Sequence, residues 1–107
     1  MSARPSDKLR PSDLAAALEW AATSRSVRAD VVARLRSGEL DLGGVIDQAG
    51  ADDLIGRIKV LTIVEALPGW GKVVSRRTLE AIGVAETTPL ADADHRALLG
   101  AFGRVPS

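Results

Sequence analysis

The run Leu67-Pro68-Gly69-Trp70-Gly71-Lys72 cuts the chain between two apolar patterns of helical period. Upstream, Val60, Ile63, Val64 and Leu67 recur at three- and four-residue steps and occupy one face of a helix over 59–67. Downstream, a second pattern runs from about Val73 to Ile82 and stops at Gly83. Pro68 cannot continue the first helix, because its ring clashes with the preceding turn and it has no N–H to donate. The glycines on either side of Trp70 then let the backbone reverse tightly. The chain must fold back on itself as helix, turn, helix.

The flanking segments read the same way. Residues 1–11 carry prolines, serines and mixed charge and read as a disordered arm. Pro11, a Ser12 N-cap and Asp13 in the first turn mark the start of a long helix over 12–38. Its stripe is Leu14, Leu18, Ala21, Val32 and Leu35, and Gly38 stops it. Arg25 and Arg28 fall on that stripe, so the helix is expected to leave the core there. A short helix follows Asp41, weakened by Gly43 and Gly44. Asp52 or Asp53 begins the next rise, and a last helix runs from Asp94 to Phe102. No period-two alternation and no repeat survives along the chain. The expectation is an all-α fold of about five helices: the long N-terminal helix packed with a compact 39–107 region as one domain.

Composition removes several classes of function. There is no cysteine, which excludes disulfides and thiolate metal sites. No apolar run approaches the roughly 18 residues a membrane helix needs, and no apolar signal core opens the chain. The expected location is cytoplasmic. Fourteen basic and fourteen acidic residues cancel, but they are segregated. Between Arg57 and Arg77 five basic residues (Arg57, Lys59, Lys72, Arg76, Arg77) face one acid, Glu65. Arg25, Arg28, Arg34 and Arg36 face only Asp30, whereas Glu39, Asp41, Asp47, Asp52 and Asp53 form a wholly acidic block.

The turn and the basic stretch around it carry the chemistry. A helix that starts straight after a tight turn exposes its first backbone N–H groups. Those donors and the positive end of the helix dipole attract an anion. Gly69 and Gly71 let a phosphate approach closely, Lys72 adds a point charge, and Arg76 lies one turn on, beside Arg77. A helix-hairpin-helix type element holds a nucleic-acid backbone in this way without reading bases. Trp70 has two readings: an apolar wedge between the helices, or a partly exposed ring against a sugar or base edge. It is counted with the DNA-contacting set on the second.

The stretch "DLIGRIKVLTIVEALPGWGK" resembles the signature of the actinobacterial integration host factor family, helical DNA-binding proteins with a helix-two-turns-helix element. The matching residues are Asp53, Gly56, Arg57, Lys59, Val60, Glu65, Leu67, Pro68, Gly69, Gly71 and Lys72. The likeness extends more loosely over residues 12–103, through the alanine-rich first helix and the closing "ALLGAFG". It implies DNA compaction or bending, little sequence specificity, and support for site-specific recombination, with nucleoid association. The implied DNA-binding set is Gly69, Trp70, Gly71, Lys72, Arg76, Arg77, Arg57, Lys59, Arg25 and Arg28. The family also carries an arginine cluster between its last two helices. Here Thr88 and Pro89 stand in its place, Asp92 and Asp94 follow, and Val74 occupies a position that tends to be basic. Each lost phosphate contact lowers the salt slope of duplex binding by about 0.9. The expectation is a divergent member that binds DNA weakly through 57–77, or one that has exchanged part of that face for a protein partner such as a recombinase.

No other constellation competes. His95 is the only histidine, and Asp92 or Asp94 beside it is expected to cap a helix rather than to ligate a metal. Glu65 is expected to pair with Lys59, Arg77 or the first helix. "GKVVSR" lacks a nucleophile elbow around Ser75, and "GWGK" lacks phosphate-loop spacing. No enzyme and no cofactor is expected, although carbonyls of a 68–71 turn can hold a potassium or sodium ion.

Overall fold

A computed structural model describes residues 11–103. The expected 1–11 arm lies outside them apart from Pro11. Six α-helices follow in order: α1 (Pro11–Ser37), α2 (Leu42–Ala51), α3 (Asp53–Gly56), α4 (Val60–Glu65), α5 (Gly71–Ala81) and α6 (His95–Phe102). A 3₁₀ turn at Leu90–Asp92 precedes α6. The fold is all-α, with one helix more than the periodicity predicts. The extra one, α3, is a single turn too short to show a period.

Aspartates start three of the helices. Asp41 accepts from the Gly44 amide at 2.7 Å, Asp52 from Leu54 at 2.9 Å and Asp94 from Ala97 at 3.0 Å. Each satisfies a donor the helix itself cannot, worth about 1 kcal/mol. At α1 the expected cap fails. The helix already includes Pro11, which places Ser12 inside it rather than at its cap. At the other end Gly38 takes φ 81° and its amide bonds the Leu35 carbonyl, which turns the chain out of α1.

The core gathers Val31 and Leu35 of α1, Val45 of α2, Ile55 of α3, and Val60, Ile63 and Val64 of α4. Leu79, Leu90, Leu98 and Phe102 close it from the far side. The upstream face named in the sequence, Val60, Ile63, Val64 and Leu67, is buried throughout. Each such side chain contributes about 1.5–3 kcal/mol relative to exposure. Gly56 sits where a Cβ would meet the Ala91 Cβ at 3.0 Å and the Ala49 carbonyl at 3.2 Å. Its missing side chain lets α3 press against α2 and the 3₁₀ turn.

Only the C-terminal part of α1 joins this core. Val31 and Leu35 are buried, while Leu14, Leu18 and Trp20 are at least half exposed. The helix therefore leaves the core on the N-terminal side of Val27, and the molecule measures 59 × 28 × 24 Å.

Candidate nucleic-acid interface

The 68–71 turn is built as the residue types require. Gly69 takes φ 84° and Gly71 φ 69°, left-handed values that cost an L side chain about 1–2 kcal/mol. The Trp70 amide bonds the Leu67 carbonyl at 3.1 Å, closing the turn. Helix α5 starts immediately after it, with no side-chain cap. The amides of Gly71, Lys72 and Val73 donate to no backbone acceptor among the described residues, and all three residues are exposed.

Compare the start of α4. There the Val60 amide donates to the Thr88 carbonyl at 2.8 Å and the Leu61 amide to the Glu86 carbonyl at 3.2 Å. Of the helices that begin after residue 40, α5 is the one in which none of the first three amides has a partner among the described residues; each of the others has at least one of them paired. An anion placed there meets oriented N–H groups and the positive dipole end together.

Trp70 corrects one expectation. Its ring is 7% exposed and lies 4.4 Å from the Phe102 ring, centroid to centroid, at a tilt of 49°. It is the wedge between helices, and burial takes its face away from a sugar or base. The reason is packing: with Leu67 and Phe102 it fills the corner where α4, the turn and α6 meet. The apolar groove beside it, about 460 Å³, is lined by Leu40, Leu67, Pro68, Leu99 and Phe102.

The cations divide into two groups. Lys72, Arg76 and Arg77 stand exposed on α5 near the turn. Arg76 is engaged: its Nε lies 3.1 Å from Glu86 Oε2, in a pair about half exposed on both sides. The second group forms at the opposite end of α4, in a cleft of about 350 Å³ lined by Trp20, Ser24, Arg28, Arg57, Lys59 and Thr62, with Leu54 and Ile58 behind them. The Arg57 guanidinium lies 5.3 Å above the centre of the Trp20 ring, so three predicted cations, from two parts of the chain, share one surface. Arg25 lies exposed on α1 outside this lining.

Pro89 bridges to Lys59 and, with Asp53, Arg57 and Asp92, lines an adjoining depression.

Two further expectations resolve. Asp94 is a cap, as expected. His95 Nε2 donates to the Leu90 carbonyl at 2.7 Å, fastening α6 to the 3₁₀ turn. Glu65 does not pair with Lys59, Arg77 or α1: its Oε2 is buried without a partner among the described residues. Lys59 lies six positions before it, off the three- or four-residue spacing at which helical side chains meet. No group of three or more potential metal ligands occurs among the described residues, and none of the described helices is long and apolar enough to cross a membrane.

Residues 35–102 match the S13-like H2TH domain family. An integration host factor of Streptomyces coelicolor is 43% identical over 79 residues, covering 74% of each chain. Its counterpart in Mycobacterium tuberculosis is 39% identical over 92 residues, 83% of this chain and 88% of that one. The chain belongs to the actinobacterial integration host factor family. A solved structure of sIHF bound to an 8bp palindromic DNA superposes with a TM-score of 0.74 at 35% identity, covering 79% of this chain and 99% of that one. The helical scaffold is thus shared with a relative solved bound to DNA.

Proposed function

We propose that this chain is an architectural protein that binds double-stranded DNA through its phosphate backbone, with little sequence preference, in nucleoid organisation or site-specific recombination. The observation that carries this reading is the open start of α5, where the amides of Gly71, Lys72 and Val73 are unpaired and exposed beside the Lys72 charge. A phosphate oxygen accepts from those amides, and Lys72 and Arg77 neutralise its neighbours. Composition supports indifference to sequence. The chain has no asparagine and a single glutamine, Gln48 on α2, so the side chains that read adenine in pairs of hydrogen bonds are missing from this face. The relatives named integration host factor, and the fold neighbour whose structure was solved bound to DNA, support the same reading.

A gel shift at low salt on two duplexes of unrelated sequence tests it. Equal affinity within about threefold and a slope of roughly −3 to −5 in log K against log salt are expected for four or five phosphate contacts. Lys72→Glu should weaken binding by about tenfold or more, because it places a carboxylate against the phosphate. Full binding by that variant would remove the turn from the mechanism.

A further inference from the structure

Two apolar surfaces lie uncovered at opposite ends of α1. The first is on the helix itself. Leu14, Leu18, Ala21 and Arg25 recur at steps of four, three and four residues, which sets them within about 60° of one another around the axis. That stripe is rotated by about 110° from Val27, Val31 and Leu35, which pack on the core. Leu14 is 50% and Leu18 62% exposed. One helix thus carries two apolar faces, and the core uses one of them.

The second surface is the groove beside the turn, of about 460 Å³, lined by Leu40, Leu67, Pro68, Leu99 and Phe102. Leu99 is 43% exposed there. Among the described residues that line the groove, Asp41 is the one charged group. Asp41 spends Oδ1 on the Gly44 amide. Neither it nor Arg25 has an ion-pair partner among the described residues, whereas Glu39 pairs with Arg34. The structure also leaves Arg25 outside the cleft that gathers Arg28 with Arg57 and Lys59.

A hydrophobic groove takes the apolar face of an amphipathic helix through anchors spaced i, i+4 and i+7. Leu14, Leu18 and Ala21 have that spacing. Yet α1 cannot fill the groove of its own chain. It runs unbroken from Pro11 to Ser37, and Leu18 stands about 30 Å along it from Gly38 at the groove's edge. The helix of another molecule is under no such restriction.

We propose that the groove receives the Leu14–Leu18 face of α1 from a second copy of this chain, with that copy's Arg25 set against Asp41. The two surfaces differ, so the contact is heterologous, and copies add head to tail instead of closing as a pair. About three turns of one helix bury less than the roughly 1,200 Å² of a standard stable interface. Association is therefore weak and grows with concentration. The exposed charge pair fixes the direction of the helix more than it adds affinity.

Sedimentation velocity on the full chain without DNA tests this, so the outcome is independent of the DNA-binding reading. The weight-average mass should stay near one copy's 11.2 kDa at low concentration. It should exceed twice that value by about 1 mM, as a chain does and a closed pair does not. Leu18→Glu spoils the helix face and Leu99→Glu the groove, and each should return the protein to single copies. Both positions are exposed, so neither change should move the melting midpoint. An equimolar mixture of the two variants decides the geometry, since each keeps the surface the other lacks. It should form a one-to-one pair and nothing larger. Arg25→Gln, and Asp41→Asn, which keeps the cap oxygen, should each weaken association about two- to fivefold. Unchanged affinity in both removes that pair from the contact.

A parent chain that keeps the mass of one copy up to about 1 mM overturns the proposal. So does association that survives either leucine variant, because two like faces would then be meeting. A mixture whose components stay apart overturns it as well.

Discussion

The two ends of α4 reach a similar electrostatic character by opposite means. At its C-terminal end the receptive atoms are main-chain amides, exposed because two glycines hold left-handed conformations and nothing caps α5. At its N-terminal end the main-chain donors are already taken by Thr88 and Glu86, and the positive field comes from side chains gathered over Trp20. The difference teaches where each end is vulnerable. A site made of backbone is lost only when the backbone is changed. A site made of side chains is retuned by any one of them.

Three variants separate the two ends, and the largest effect belongs to the backbone. Gly71→Val forces a β-branched residue to φ near 69° and should cost about 2 kcal/mol of stability. That lowers the melting midpoint by about 8 °C or more for a domain of this size. Duplex binding measured well below that midpoint should fall by more than tenfold, although no charge has changed. Unaltered binding in the folded variant would mean the amides are not the grip.

Next, the double change Thr88→Arg with Pro89→Arg adds two cations beside the cleft. It should steepen the salt slope by about 1.8, two phosphates' worth, and strengthen binding at low salt by about tenfold. An unchanged slope would mean the duplex does not reach this end of α4. The smallest effect is expected from Glu86→Gln, which releases Arg76 from its 3.1 Å ion pair. An exposed pair of this kind is worth only about 0–1 kcal/mol, so stability should hold while duplex affinity rises about two- to threefold. A fall in affinity would show that Glu86 serves to aim Arg76.

Much of this was legible in the residues themselves. Proline and glycine punctuation marks where α1, α4 and α5 end, and periodicity places Val60, Ile63, Val64 and Leu67 inside, because both signals are local. The turn's glycines and Lys72 were legible for the same reason. The cleft was legible only in part. Arg28, Arg57 and Lys59 stand out as charges, but their meeting at Trp20 depends on how α1 crosses the start of α4, across a long stretch of sequence. The weak local signal was an aromatic ring one and two turns ahead of arginines on an alanine-rich helix. Trp70 was legible as either wedge or contact, and Phe102, distant in sequence, decides between them. Glu65 misled because charge alone suggests a partner, whereas helical spacing turns it away from Lys59.

The exposed first half of α1 has a mechanical consequence. Residues 13–19, ahead of Trp20, are exposed, and a stretch that short is at best marginally stable as a lone helix in water. Amide protons there should exchange with solvent far sooner than those around Val31 and Leu35. The indole resting against Arg57 is then the outermost rivet of a cantilever, and whatever grips that guanidinium also stiffens the beam.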